Sequence, residues 1–209
     1  MMAALELLNK YKTLFNKSGI NTPIRLAHFF AQADHESGLK PKVENLNYSV
    51  DGLLKNFGSH RITHTQAYDY GRSANHAANQ QAIANIIYGG SWGKNNLGNT
   101  HPGDGWRFRG RGIFQITGRS NYQLLTEWAK SKRHTVDYVE NPDLLLNESD
   151  SIIAAVWYWN KKGINSFADQ DDIVSVSKII NLGGPKINGT PKGLEERKQK
   201  LKYYKTIFK

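Results

Sequence analysis

The spacing of apolar residues predicts a chain built mainly from amphipathic helices. Between Thr22 and Gly38, apolar side chains recur at intervals of three and four residues, at Leu26, Phe29, Phe30 and Ala33. Thr22 is suited to accept hydrogen bonds from the first free backbone N–H groups, and Pro23 fits the first helical position. Gly38 and Pro41 are expected to end this helix.

Similar patterns predict further helices along the chain. They fall near residues 7–15, 77–90, 121–130, 151–162 with Ser149 or Asp150 as the cap, 173–184 with Asp171 or Asp172 as the cap, and 193–209. Residues 113–117 instead alternate between apolar and polar, which predicts a short extended segment with Gln115 and Thr117 on one face. The expected fold class is therefore mainly α with minor extended elements.

Composition describes a folded globular chain with no need of an oxidising compartment. Its 209 residues include 39% hydrophobic residues, enough for a real core, and no cysteine. No apolar run is long enough to span a membrane, and Glu6, Asn9 and Lys10 interrupt any signal-peptide pattern. Glycines punctuate residues 45–100, which we interpret as a small inserted helical lobe.

Two carboxylates near the first strong helix are candidates for acid–base chemistry. Glu36 lies in the last turn, near the negative end of the helix dipole, so its pKa is expected to be raised. A chain reversal at Gly38–Pro41 could bring Glu44 opposite it. One protonated and one ionised carboxylate form the pair that cleaves glycosidic bonds. The alternative is a buried helix whose polar end simply faces water.

The net charge of +10 indicates an anionic partner: nucleic acid, an acidic membrane surface or an anionic cell wall. Arg107, Arg109 and Arg111 alternate with Trp106 and Phe108, as in strand-binding proteins. The cluster spans few residues and no nucleic-acid motif accompanies it, so a sugar site is the better interpretation.

Three weaker patterns have plainer alternatives. His60 and His64 have a helical metal-ligand spacing, but no third ligand follows, and solvated surface histidines are favoured. The basic helix at 193–209 could contact lipid headgroups, although docking on the core is the favoured role. No G-x-S-x-G elbow, phosphate-binding loop or dinucleotide fingerprint is present.

Several segments together resemble family-19 glycoside hydrolases, the chitinase-like enzymes of lysozyme fold, and more closely their phage endolysin branch. The segments are AHFFAQADHESG, VENLNYS, ANQQAIANIIYGG, GDGWRFRGRGIFQITGRSNYQ, NPDLL, AAVWYWN, INLGG and GLEER, in this order along most of the chain. The resemblance implies a lysozyme-like or chitinase-like bilobal helical fold. Residues 1–44 and 101–209 would form its catalytic lobe, and residues 45–100 an inserted lobe that resembles a peptidoglycan-binding module.

The resemblance also implies roles for individual residues. Glu36 would be the general acid, Glu44 the second acid that activates water, and Gln115 and Thr117 the groups that hold that water or the substrate. The implied substrate-binding residues are His35, Tyr48, Trp106, Arg109, Asn121, Tyr122, Asn181 and Arg197, the last as cationic partner of the acidic cluster.

The function implied is that of an endolysin that hydrolyses β-1,4 bonds of peptidoglycan with inversion. It would act as a monomer, without metal, cofactor, nucleic acid or membrane insertion. It would accumulate in the host cytoplasm and reach the cell wall through a holin pore. Two alternatives stay open: a chitinase, and a non-catalytic protein that binds cell wall or nucleic acid.

Overall fold

The computed structural model describes residues 2–209 and confirms the mainly helical fold class with minor extended elements. Its helices are α1 (Met2–Lys10), α2 (Lys12–Lys17), α3 (Pro23–Ser37), α4 (Val50–Phe57), α5 (His64–Tyr70), α6 (Gln80–Ile87), α7 (Gly90–Leu97), α8 (Asp104–Arg107), α9 (Arg119–Ser131), α10 (Glu148–Lys161), α11 (Asn165–Asp169), α12 (Ile173–Leu182) and α13 (Leu194–Ile207). The strands β1 (Lys42–Val43) and β2 (Arg111–Gly112) pair, and Pro142–Leu146 form a 3₁₀ helix. Within the described residues, no helix combines the length and apolarity needed to cross a membrane.

The chain forms two compact units. Unit 1 comprises the residues up to Lys42, Gly112–Phe114 and Asn147–Lys209, and unit 2 comprises Val43–Arg111 and Gln115–Leu146. Residues 115–146 thus belong to the same unit as residues 45–100, whose glycines predict an inserted lobe. The division into a catalytic lobe and a wall-binding lobe stays a prediction, because it concerns function.

Helix α3 is the centre of unit 1. Phe29 on this helix is fully buried, and its ring lies 5.2 Å from Phe15, 5.5 Å from Phe114 and 5.3 Å from Trp159 between centroids. Edge-to-face pairs at such distances add to the free energy gained by burying the rings. Because three separate segments meet on Phe29, the position of α3 is fixed by the whole unit.

Helix α13 packs along α3, which confirms the docked role expected for the basic C-terminal stretch. Leu201, Tyr204 and Phe208 are buried on its inner face, and the Phe208 ring lies 5.2 Å from that of Phe30. The lysines occupy the remaining faces, where water can hydrate them.

Local sequence signals give most helix ends correctly. The Thr22 hydroxyl accepts from the Arg25 backbone N–H, and Gly38 has the left-handed φ of 65° that ends α3. The Asp172 side chain accepts from Ser175 N at 3.0 Å, as one of the two predicted caps of α12.

Other helix ends differ from the predictions. Helix α10 begins at Glu148 after Asn147, so Ser149 and Asp150 lie inside its first turn and do not cap it. The pattern near residues 7–15 is divided between α1 and α2 at Tyr11. In unit 2, α7 begins at Gly90, the second glycine of a pair that predicted only a helix end.

The predicted extended segment at 113–117 is wrong, because the chain turns there. Arg111 and Ile116 exchange both backbone hydrogen bonds, at 3.2 and 2.8 Å, and form an antiparallel bridge. Gln115 lies in the turn with a φ of +49°, in the left-handed region. Ile113 and Phe114 are apolar because both are buried in the core of unit 1, and this burial needs no strand.

Unit 2 has its own small core. Its buried apolar residues are Leu46, Leu53, Ile62, Ala67, Ile83, Ala84 and Ile87. Helix α8 approaches α6 so closely that a Cβ on Gly105 would lie 2.3 Å from the Ala84 carbonyl oxygen. Glycine at position 105 is therefore what lets the loop before residue 110 lie against this core.

Candidate active site

Glu36 lies in the last turn of α3, where its carboxylate meets a buried arginine of α13. Arg197 is 1% exposed, and its Nη2 donates to Glu36 Oε1 at 2.5 Å. The same guanidinium donates from Nη1 to Gln32 Oε1 and from Nε to the Lys192 carbonyl. The Glu36 side chain keeps 21% of its surface exposed, so it is oriented by Arg197 and still accessible.

His35 fixes the start of α13 beside this carboxylate. A Cβ at Gly193 would lie only 2.3 Å from His35 Cε1, and Gly193 has a left-handed φ of +68°. His35 Nδ1 lies 3.3 Å from Glu196 Oε2 without hydrogen-bond geometry. The His35 ring thus packs against Gly193, a position that only glycine fits and that precedes Arg197 by four residues.

Two further residues around Glu36 were missed by sequence reasoning. Gln32 precedes Glu36 by one turn and also donates to Ser177 at 3.2 Å, so its helical spacing was the available signal. Burial, together with the charge of Glu36, raises the pKa of Tyr158 to about 12. Tyr158 therefore stays protonated, and it donates to the Ile179 carbonyl.

Asn181 is in the last turn of α12. Its Oδ1 accepts from the Lys192 backbone N–H at 2.9 Å. This bond joins the end of α12 to the residue whose carbonyl accepts from Arg197. The structure thus gives Asn181 a role in shaping the loop at residues 183–193; its predicted contact with sugar stays a prediction.

Glu44 in unit 2 is held by three hydrogen bonds. Its backbone N–H donates to the Gly110 carbonyl at 2.8 Å, and Gly110 N–H donates to Glu44 Oε2 at 3.1 Å. The Tyr88 hydroxyl donates to Glu44 Oε1 at 2.5 Å. Since a donor reaches each carboxylate oxygen, the orientation of Glu44 is fixed without an arginine.

The two tyrosines near Glu44 are kept in their neutral form. Burial raises the pKa of the Tyr88 hydroxyl, and the charge of Glu44 raises it further. The same two causes raise the pKa of Tyr48. Tyr88 was missed by sequence reasoning because it lies 44 positions from its partner, with no local signal.

Gly110 is also where Gln115 and Thr117 come together with Glu44. A Cβ on Gly110 would lie 2.8 Å from Gln115 Oε1, 3.3 Å from Thr117 Oγ1 and 3.4 Å from Glu44 Cβ. The Thr117 hydroxyl donates to the Gln115 carbonyl at 2.9 Å, and Asn121 Nδ2 donates to the Thr117 carbonyl at 2.8 Å. The turn at Gln115, rather than a strand, places these polar groups side by side.

Trp106, Arg109 and Tyr122 contact one another around the loop that leads to Gly110. The Arg109 guanidinium stacks on the Trp106 ring at 3.6 Å, so it covers one aromatic face expected to contact sugar. Tyr122 is fully buried and donates to the Arg109 carbonyl at 3.1 Å. Tyr122 therefore stabilises the loop from the protein interior and exposes no surface to a substrate.

The part of the chain that the structure describes contains no candidate metal site. No group of three or more His, Asp or Glu side chains gathers there in a way that could bind a metal ion. His60 lies in a turn before α5, so it does not share a helical face with His64.

The two units each present one carboxylate in a defined polar setting. Glu36 has a buried cation beside it, and Glu44 has only neutral donors and two neutral neighbours at Gly110. The pairing of the two carboxylates stays a prediction. Each carboxylate is a group that can take part in proton transfer.

Comparison with known proteins assigns the family. No family model matches the chain. It is 35% identical over 194 residues to a glycosyl hydrolase family 19 domain-containing protein of Haemophilus influenzae, and the alignment covers 92% of this chain and 82% of that protein. Identity at this level over this length shows that the chain belongs to glycosyl hydrolase family 19 and is a glycoside hydrolase.

Proposed function

We propose that the protein hydrolyses β-1,4 glycosidic bonds of bacterial peptidoglycan and acts as a phage endolysin. The observation that carries the proposal is the arrangement at Gly110. There a carboxylate with neutral donors on both oxygens lies next to Gln115 and Thr117. This set of groups suits a base that activates a water molecule.

The surroundings of Glu36 and Glu44 suggest a different catalytic role for each. Glu36 donates a proton to the leaving glycosidic oxygen, and Arg197 fixes the direction in which its carboxyl group points. Glu44 takes a proton from water, while Gln115 and Thr117 orient that water toward the anomeric carbon. Direct attack by water inverts the configuration at that carbon, which requires carboxyl groups about 6.5–9.5 Å apart.

The charge of the protein favours peptidoglycan over chitin. A net charge of +10 attracts an anionic polymer, whereas chitin is neutral. As an endolysin the protein would collect in the host cytoplasm and reach the wall through a holin pore, acting as a monomer without metal or cofactor.

Digestion of purified sacculi and of chitin tests the proposal directly. We expect soluble muropeptides with new reducing ends in the mass spectrum, and slower release from chitin. Glu36→Gln and Glu44→Gln should each lose activity by on the order of 10²–10⁴. Glu127→Gln, at an exposed position of α9, is the matched control and should keep full activity.

Two outcomes would contradict the proposal. A folded Glu36→Gln protein with more than about a tenth of wild-type activity would remove the acid assignment, given the 10²–10⁴ expected. Proton NMR of freshly cleaved oligosaccharide tests inversion, because a product first released as the β-anomer would exclude it.

A further inference from the structure

A groove in unit 2 is lined by three arginines. It has a volume of about 460 Å³, and its charged and aromatic lining consists of Trp106, Arg107, Arg109, Arg111, Glu140 and Asp143. Gly110 lies between the last two arginines and makes two hydrogen bonds to Glu44. A ligand in this groove would therefore lie within the same loop that positions the proposed base.

Two of the three arginines are committed to partners of the protein. Arg111 is buried, and its Nε lies 2.7 Å from Asp143 Oδ1, while its Nη1 donates to the Arg107 carbonyl. Arg107 donates from Nη2 to the Val139 carbonyl at 2.8 Å. These two side chains fix the wall of the groove.

Arg109 differs from both. Among the described residues, no carboxylate lies within 4 Å of its guanidinium, whose one hydrogen bond runs from Nη1 to the Trp106 carbonyl at 2.8 Å. Its Nε is buried without a hydrogen-bond partner. Burial, followed by the charge of Arg111, lowers the pKa of Arg109. The guanidinium is partly buried and its buried Nε–H has no acceptor, which costs free energy, so an anion that pairs with the guanidinium from the groove would stabilise it.

We infer that this groove binds a carboxylate of the peptide attached to the glycan strand, with Arg109 as its cationic partner. The inference rests on the proposed function and names the part of the substrate that would distinguish peptidoglycan from chitin. The planar guanidinium matches a carboxylate with paired N–H donors, and its stacking on Trp106 holds that plane in place.

Calorimetric titration of the wild-type protein with a soluble disaccharide-peptide tests the groove. The comparison ligand is the same fragment with its carboxylates converted to carboxamides. We expect the carboxamide form to bind on the order of ten- to a hundredfold more weakly, because hydrogen bonds to a charged group are lost. An N-acetylglucosamine tetramer should bind like the carboxamide form.

The matching protein variant is Arg109→Gln. It should bind the free-carboxylate fragment as weakly as the wild type binds the carboxamide fragment. Arg133→Gln, an exposed position in the same unit, removes the same charge outside the groove and should bind like the wild type. Circular dichroism checks that each variant is folded.

Equal affinity of the wild type for the carboxylate and carboxamide fragments would overturn the inference, and this comparison needs no variant. Equal losses in Arg109→Gln and Arg133→Gln would overturn it as well. Because binding of a fragment does not require cleavage, the groove can be confirmed even if sacculi are not hydrolysed. Failure of the proposed function is therefore distinguishable from failure of the groove.

Discussion

At the scale of single residues, the two carboxylates differ in the kind of donor that orients them. Glu36 contacts the buried guanidinium of Arg197, whereas Glu44 accepts from a phenol and a backbone N–H. The guanidinium places a full positive charge beside Glu36, whereas the phenol and the amide place only dipoles beside Glu44. The phenol that donates to Glu44, that of Tyr88, can be removed without adding or removing a charge.

Replacing Tyr88 by phenylalanine should lower kcat by about tenfold with little change in KM, because one oriented hydrogen bond of about 1 kcal/mol or more is lost at the base. The raised pKa of Tyr88 keeps it a donor at every working pH of the wild type, so the deficit should appear across the whole pH range. Tyr68→Phe is the matched control, since Tyr68 is 64% exposed. Equal kcat values for Tyr88→Phe and the wild type would show that Glu44 is oriented by Gly110 alone.

Gly110→Ala tests whether catalysis needs the close approach of Gln115, Thr117 and Glu44 to this glycine. The new methyl group would lie 2.8 Å from Gln115 Oε1, closer than such contacts allow, so the amide must move away from the water that it is proposed to hold. We expect a folded protein with at least about a tenfold loss of kcat, equivalent to about 1.4 kcal/mol. Gly184→Ala has only ordinary contacts and should retain wild-type rates. A Gly110→Ala enzyme of normal activity would exclude Gln115 from catalysis.

At the scale of elements, α3 and α13 are joined by polar contacts as well as by their apolar faces. His28 on α3 is fully buried, and its Nε2 lies 2.9 Å from Asp171 Oδ1 in the turn before α12. Lys205 on α13 donates to the other oxygen of Asp171. Burial lowers the pKa of His28, although Asp171 opposes the shift. Lys205 and His28 hold the pKa of Asp171 low against the effect of its burial.

The lowered pKa of His28 predicts that unit 1 loses stability in mild acid. Below about pH 6.5 the unfolded chain binds a proton at His28 that the folded chain binds only at a lower pH. The free energy of unfolding should therefore fall as the pH falls from 7.5 to 5.5, whereas loss of the Asp171 contribution begins at lower pH. Urea unfolding at the two pH values measures the difference.

His28→Asn should reduce that pH dependence, because the titrating group is removed. His64→Asn, at an exposed position of α5, should keep the dependence of the wild type. If His28→Asn and the wild type lose the same free energy between the two pH values, the buried histidine is not the group responsible.

At the scale of the whole molecule, the net charge of +10 should make the proposed activity on the cell wall depend on salt. The Debye length falls from about 10 Å at 0.1 M to about 3 Å at 1 M, which screens attraction to an anionic polymer. We expect turbidity clearing of sacculi to slow markedly over this range, while cleavage of a neutral soluble oligosaccharide changes little. A parallel loss on both substrates would mean that salt acts on the enzyme itself.

The sequence predicts those features of the fold that short segments encode. Thr22 and Asp172 cap their helices because the accepting side chain lies three residues from its donor. For Gln115 the alternation of apolar and polar residues predicts a short extended segment, and only the bridge between Arg111 and Ile116 shows the turn. Tyr88 could not be found, since nothing near it in the chain indicates Glu44.

The division of unit 1 into three chain segments has a consequence for how the protein is made. Glu36 and its partner Arg197 are 161 positions apart, and the residues of unit 2 are all synthesised between them. Unit 2 can therefore fold on the ribosome while α3 still lacks the helix that covers Phe30 and supplies the guanidinium. Protease digestion of chains stalled so that residues up to 150 have left the ribosomal tunnel, with α13 still inside it, should cut α3 and spare unit 2. We expect a ribosome-bound chain to carry no lytic activity until α13 has emerged.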